Sequence, residues 1–348
     1  MINDKKKKYF LVGVVAFSVL LTSLSFYFYQ AFFSPNTLVD RQTPVSLKIP
    51  RNAEYKQVVD SLIQHNIIND IVTFSFVAKV LGYPESVKPG HYLIQPRLSN
   101  KELVTLLRSG RQTPVNITFN NIRTYEDLAI KITQNLEIQS KAVLDLLQDE
   151  EFISKYGFDS HTIMSMFIPN TYEVYWNMDA LSLFDRMHKE YQRFWTEERT
   201  RKAESMNMSP TEVSVLASII QAETSKADER PKVAGVYVNR LHRNMPLQAD
   251  PTLVYALGDF SIKRVLNVHK EIESPYNTYK YVGLPPGPIN LPEISSLEAV
   301  LNYQEHDYLY FCAKEDFSGY HVFATNLGDH MNNARRYQNA LNTSKIFK

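Results

Sequence analysis

Cysteine is almost absent from this 348-residue chain; Cys312 stands alone. One cysteine excludes an intramolecular disulfide framework and any Cys-based zinc site. Glycine is scarce, at 11 residues. Neither a phosphate-cradling glycine loop nor a dinucleotide fingerprint is present. The nine His residues form no H-E-x-x-H pattern, and there is no G-x-S-x-G elbow. His321 and His330 lack a clear third ligand, so no metal and no cofactor is expected. Net charge is also lacking. Lys+Arg 38 against Asp+Glu 37 leaves +1, which argues against nucleic acid or another polyanion as partner. Hydrophobic residues at 44% and charged residues at 22% exclude wholesale disorder. The length suggests two domains.

The near-neutral total hides an asymmetry. Residues 1–8 hold four Lys and one Asp, or +3, so the chain's +1 leaves −2 for residues 34–348. Residues 9–33 between them carry no charge. As a helix they would rise about 37 Å, enough to cross a hydrocarbon core with some tilt. Lys5 to Lys8 precede the run, which puts the N-terminus in the cytoplasm by the positive-inside rule. Phe26, Tyr27, Phe28, Tyr29, Phe32 and Phe33 crowd the far end, where an interfacial aromatic belt belongs. A cleaved signal peptide is the alternative, but the run exceeds a usual h-region and no A-x-A-like site follows. The reading is a cytoplasmic tip (1–8), a single membrane anchor (9–33) and an extracytoplasmic body.

Residues 34–44 read as a short polar tether. From residue 45 the pattern is strand (45–49), helix (55–63), helix (69–81) and strand (90–94). Ser99 then opens a helix with Glu102 as its capping box, and Gly110 ends it. This small α+β module (45–112) has no catalytic cluster. Residues 115–119 form a strand leading out, and residues 120–200 look mainly helical. Phe167, Pro169, Tyr172, Tyr175 and Trp176 read as core, with a stacking surface as the alternative.

The informative stretch starts at Ser209. Ser209 is a good N-cap, Pro210 suits the first turn and Glu212 completes a capping box. Val213, Leu216, Ala217 and Ile220 then form a buried stripe. Three residues on lies Glu223, a carboxylate near the inward face of an apolar helix. Burial raises a carboxyl pKa and keeps a glutamate protonated as a general acid near neutral pH. The alternative is local pairing with Lys226 or Arg230. Asp228, Glu229 and Pro231 start the next helix, with Asn239 and Arg240 near its end. Asp250 followed by Pro251 reads as a cap and first helical residue, closed by Gly258. Residues 276–279 read as a polar aromatic extended run and residues 283–288 as a stiff loop. Ser295 and Glu298 read as a capping box. Residues 308–312 and 321–325 read as a hairpin turning near Ser318-Gly319, with Cys312 as a buried small hydrophobe.

Six segments occur in one order: ASIIQAET (217–224), VYVNRL (236–241), LQADPT (247–252), YNTY (276–279), GLPPGPI (283–289) and HVFAT (321–325). Together they resemble the endolytic murein transglycosylases of the YceG/MltG type. The resemblance extends to the anchor, the small module and FIPNTY (167–172), and covers most of residues 45–340. It implies an α+β chain: a transmembrane helix, a LysM-like module (45–112) and a larger mixed catalytic domain (113–348). It implies that Glu223 is catalytic. Three departures stand out: Asn170 where the family usually has an acid, Ala222 where it often has Lys, and Asn290-Leu291-Pro292-Glu293 where it usually continues towards Asn-Pro-Gly.

The family's reaction resembles an intramolecular transfer in which the C6 hydroxyl of N-acetylmuramic acid attacks its own C1. Glycoside hydrolysis normally needs two carboxylates. Here the nucleophile belongs to the substrate, so one acid/base group suffices. Gln248, Asp250, Tyr276, Asn277 and Tyr279 are the candidates for holding the glycan; a capping role alone would also explain Asp250. Arg240 makes a structural ion pair or meets a substrate peptide carboxylate. The implied partners are peptidoglycan strands, the cytoplasmic membrane and, by resemblance only, cell-wall synthases. Two readings compete. One is a hydrolytic muramidase with Asp250 or Glu229 as second carboxylate. The other is a glycan-binding scaffold for wall-synthesis enzymes.

Overall fold

The computed structural model describes residues 4–38, 42–262 and 264–343. Parts of the expected tip (1–3) and tether (39–41), and residues 344–348, lie outside the described residues. The chain divides into two compact units. One comprises residues 1–116, 135–137 and 173–178; the other comprises 117–134, 138–172 and 179–348.

The first unit opens with α1 (Asp4–Phe33), whose most apolar window has a mean hydropathy of 2.1. A helix this long and apolar serves as a membrane anchor or as a signal sequence. β1 (Val45–Ile49) and β2 (Gly90–Ile94) pair antiparallel, with Val45 opposite Ile94. Between them run α2 (Tyr55–Gln64) and α3 (Ile71–Val80). α4 (Asn100–Ser109) has the expected capping box of Ser99 and Glu102, and ends at Gly110 with φ 70°. Leu47, Ile49, Leu62, Phe74, Tyr92 and Leu103 are fully buried among these elements.

The expected polar tether is, in its first part, built into this unit. Asn36 donates to the Asp70 carbonyl (2.8 Å) and to Asn100 Oδ1 (2.7 Å), and accepts from the Asp70 amide (2.7 Å). Asn100 in turn donates to the Ala31 carbonyl near the end of α1 (2.9 Å). That carbonyl is one that a helix end leaves unsatisfied. Phe28 and Phe32 pack edge-on against Phe76 of α3, at 5.3 and 6.3 Å. The apolar helix is thus joined to the module by buried polar bonds and aromatic packing. Polar residue types in a loop read as solvated; here they satisfy one another inside.

β3 (Val115–Thr118) follows. The second unit is mostly helical: α5 (Tyr125–Thr133), α6 (Ser140–Leu147), α7 (Glu150–Ser154), then β4 (Thr171–Val174), α8 (Ala180–Phe194) and α9 (Glu197–Ser205). β4 pairs with β3. Phe167, Tyr172 and Trp176 are buried, as core residues should be; Tyr175 is exposed. Next come α10 (Pro210–Glu223), α11 (Arg230–His242), α12 (Asp250–Leu257) and α13 (Ile294–Leu301). The antiparallel hairpin of β5 (Tyr310–Ala313) and β6 (His321–Ala324) leads into α14 (Leu327–Thr343).

Two local expectations fail here. The Ser295–Glu298 box does not form, because α13 starts at Ile294 after Glu293. Ser295 instead accepts from Arg230 (2.7 Å) and Glu298 from Arg199 (2.8 Å). Residues 276–279 form a turn rather than an extended run. Asn277 Oδ1 accepts from the amides of Tyr279 (3.0 Å) and Lys280 (3.3 Å), closing the backbone on itself.

Candidate active site

α10 begins as its sequence demands. Ser209 Oγ accepts from the Glu212 amide at 3.2 Å, and Glu212 accepts from the Ser209 amide at 2.7 Å. The buried stripe is wider than expected, since every residue from Val213 to Ile220 is buried. Its polar groups hold the proline-rich loop. The Ile289 amide donates to Ser218 Oγ (3.0 Å), and Asn290 Nδ2 donates to the Ser218 carbonyl (2.9 Å). Gln221 donates to Asn290 Oδ1 and the Leu291 carbonyl (both 3.2 Å) and accepts from the Glu293 amide (2.6 Å). Gly287 is required there, because a Cβ would collide with the His161 carbonyl. The helix stops at Glu223, where Thr224 turns extended (φ −137°, ψ 132°). Ser218 and Gln221 therefore fasten the loop, and Glu223 is left facing open space.

Two cavities meet at that point. One, of about 330 Å³, is lined by Glu223, Asp250, Arg123, Tyr255, Phe260 and Ile289 among others. The other, of about 400 Å³, is lined by Glu223, Asp250, Tyr237, Tyr279, Gln248 and His321 among others. Glu223 and Asp250 are the two residues common to both. A third cavity of about 430 Å³ continues from the first through the shared Arg123, Tyr255 and Phe260, and reaches Tyr125, His161 and Tyr276. The result is a chain of lobes with two carboxylates at one junction.

Tyr237 of α11 donates from its hydroxyl to Glu223 Oε1 at 2.8 Å. Neither Lys226 nor Arg230 pairs with Glu223. Arg230 binds Glu293 (3.3 Å), and the Lys226 ammonium lies 4.8 Å from the Tyr320 ring. Burial raises the Glu223 pKa from 4.5 to about 7. The Tyr237 hydrogen bond opposes this rise, Asp250 adds to it and Arg240 opposes it. At neutral pH Glu223 is therefore near half-protonated, which suits a group that gives a proton and later takes one.

Asp250 is not a helix cap. It is the first residue of α12 and makes no capping bond. Its Oδ1 accepts from the Tyr279 hydroxyl at 2.5 Å. Ala249 and Thr252 bond Thr278 (3.0 and 2.9 Å), which locks residues 247–252 to residues 276–279. Gln248, at φ 51°, is exposed on the rim of the Tyr237 lobe. Tyr276 is buried and lines the outermost lobe away from Glu223. Asn277 is not brought to any lobe. It is fully buried, and its amide donates to the Lys270 and Ile272 carbonyls (2.9 Å each).

The structure also gives places to Glu229, Arg240, Cys312 and His330. Glu229 is buried, accepts from Thr224 (3.2 Å), and holds His321 through Nδ1 and the amide (2.7 Å each). That commits Glu229, so Asp250 is the second carboxylate at the junction beside Glu223. Arg240 donates to the carbonyls of Leu309 (2.7 Å), Pro246 (3.3 Å) and Leu247 (2.7 Å), a structural clamp rather than an ion pair. Cys312 is half-exposed on the Tyr237 lobe rather than in the core, and burial still pushes its thiol pKa up. His330 stacks on Tyr310 at 5.3 Å, and no group of three potential metal ligands occurs among the described residues.

The model of the YceG-like family matches residues 47–336. The chain is 31% identical to the endolytic murein transglycosylase of Bacillus subtilis (strain 168) over 87% of each chain. It is 27% identical to the proteins of that name in Streptococcus pneumoniae strains D39 and R6, over 96% of this chain. It spans 66% of their length, just under two thirds. A crystal structure of a YceG-like protein from Listeria monocytogenes is similar at 26% identity with a TM-score of 0.55. That match covers 84% of this chain and 99% of the other.

Proposed function

This chain belongs to the YceG-like family, and on that premise we propose that it is a membrane-anchored endolytic peptidoglycan transglycosylase, a lyase acting on the MurNAc-GlcNAc bond inside glycan strands. One observation carries the proposal. A carboxyl with a pKa raised to about 7 sits where cavities open on two sides. A polymer cleaved internally needs room for sugars on both sides of the broken bond.

Glu223, protonated, donates to the leaving glycosidic oxygen as the bond from C1 breaks. The C6 hydroxyl of the same muramic acid attacks C1, and its proton passes to the Glu223 carboxylate. One bond breaks, one forms, the proton count is restored and no water is consumed. The intramolecular nucleophile supplies proximity without a second protein base. The developing positive charge at C1 lies near the carboxylate of Asp250, which Tyr279 orients. Tyr279 and Gln248 line the lobe on one side of Glu223, and Tyr276 lines the outer lobe on the other.

Asp250 also motivates a second reading, in which it activates water and the enzyme is a hydrolytic muramidase. The decisive experiment digests sacculi with the detergent-purified full chain and with Glu223→Gln, then weighs the products. Internal 1,6-anhydro ends made only by the wild type support the transglycosylase. Hydrated ends, about one water heavier, support the muramidase. Equal inactivity of both proteins leaves a glycan-binding scaffold.

α1 serves in this reading as the anchor, with Lys5–Lys8 in the cytoplasm and the rest outside. The strand-helix-helix-strand order of the first unit supports a LysM-like reading. A reporter fused after Lys348 that is active in the cytoplasm overturns the topology. Cell-wall synthases are proposed as partners on family grounds, testable by crosslinking in cells.

A further inference from the structure

Two arginines border the lobes, and they are in opposite states. Arg240 is buried, with its guanidinium on three backbone carbonyls. Arg123 is partly exposed, and its guanidinium has no ion pair or hydrogen bond among the described residues. It lies 4.8 Å from the centroid of the Phe260 ring. It lines both the lobe next to Glu223 and the outer lobe, at their junction. Its backbone is held firmly, because the neighbouring Ile122 carbonyl accepts from the Leu291 amide (2.8 Å) in the loop fastened to α10.

Around Arg123 the inner lobe carries Pro251, Val254, Phe260, Ile262 and Ile289 beside the two carboxylates, and the outer lobe adds Glu126 and His161. Neither Glu223 nor Asp250 comes within ion-pair distance of it. Its partly exposed guanidinium is thus free to meet an anion carried by a molecule bound in the lobes. The planar guanidinium, pre-set by the aromatic face, suits a bidentate carboxylate. N-acetylated sugars are neutral. In peptidoglycan the carboxylates belong to the peptide stems.

Resting on the transglycosylase reading, we propose that Arg123 is a carboxylate receptor for the peptide stem carried by the bound glycan, so that the site prefers peptide-bearing strands over stripped ones.

The test uses the full chain in detergent with Arg123→Gln and Arg123→Lys. The substrates are uncrosslinked peptide-bearing strands and the same strands stripped by an amidase that cuts the muramyl–peptide bond. The readout is the initial rate of 1,6-anhydro end formation. Arg123→Gln is expected to lower kcat/KM about tenfold on peptide-bearing strands and less than about twofold on stripped strands. Arg123→Lys, which keeps a point charge, should fall between them and serves if the Gln variant does not fold. Equal losses on both substrates overturn the proposal. A larger loss on stripped strands, whose lactyl carboxylates are free, assigns Arg123 to the lactyl group and also overturns it. A wild type that makes no anhydro ends on either substrate fails the transglycosylase reading instead. Cosedimentation then decides Arg123 separately: unchanged binding of peptide-bearing strands by Arg123→Gln overturns its role.

Discussion

The hydroxyl of Tyr237 donates a 2.8 Å hydrogen bond to Oε1 of Glu223 from a helix 14 residues further along the chain. This bond stabilises the carboxylate, against burial, which stabilises the acid. Tyr237 is itself fixed by an edge-on contact with Phe311 at 5.9 Å. Removing the hydroxyl with Tyr237→Phe is expected to raise the Glu223 pKa above about 7. The alkaline limb of kcat/KM should then move upward by about one pH unit, the scale of a hydrogen bond to a charged group. A pH–rate profile checks it; an unmoved limb removes Tyr237 from the tuning.

The raised pKa also makes a stability prediction. Folded Glu223 binds its proton more tightly than the unfolded chain does. Below pH 4.5 both states are protonated and nothing is lost. Between about 4.5 and 7 the unfolded state releases its proton first, so stability falls as pH rises. The loss is complete above about 7, on the order of 3 kcal/mol. Glu223→Gln should therefore be inactive yet melt at a higher temperature than wild type at pH 8. At pH 4 the two should coincide. Thermal melts at both values decide it; a variant less stable at pH 8 contradicts the burial argument.

Asp250 acts on the same proton. Its carboxylate raises the Glu223 pKa, so Asp250→Asn should lower it and shift the alkaline limb down. Activity should also fall about tenfold or more, if Asp250 offsets charge in the transition state. Tyr279→Phe should lose part of this, and the double variant should be non-additive because the two side chains share one hydrogen bond. Additive losses would show that the pair is not a unit.

Ala222 lines the lobe beside Glu223. Ala222→Lys should place an ammonium near the carboxyl, lower its pKa and move the alkaline limb to lower pH. A limb that moves upward, or a raised pKa in direct titration, would contradict this.

The start of α10 was legible because a capping box is local: Ser209, Pro210 and Glu212 need only one another. The place of Glu223 at the inward end of α10 was legible because it continues a helical stripe, whereas its proposed role came from the resemblance of the segments around it. The remaining site was not, because its partners are joined by tertiary contacts. His321 and Glu229 are 92 residues apart, and no spacing announces their 2.7 Å bond. Tyr237 lies in the body of α11, 14 residues from Glu223, and no local pattern marks their bond. Asp250 before Pro251 has the local appearance of a cap, but Tyr279, 29 residues on, takes the carboxylate. Asn277 has the chemistry of a sugar ligand and instead closes a turn. The tether misled for the same reason, since Asn36 meets Asn100 only in the folded unit.

The central claim is that one carboxyl, Glu223, stays protonated near neutrality and transfers its proton in catalysis. Carbon-13 NMR of glutamate-labelled protein, with Glu223→Gln used to assign the signal, measures that carboxyl directly. The account predicts a midpoint at about 7 that coincides with the alkaline limb of kcat/KM. A midpoint at the ordinary 4.5, or a limb that does not follow it, would contradict it.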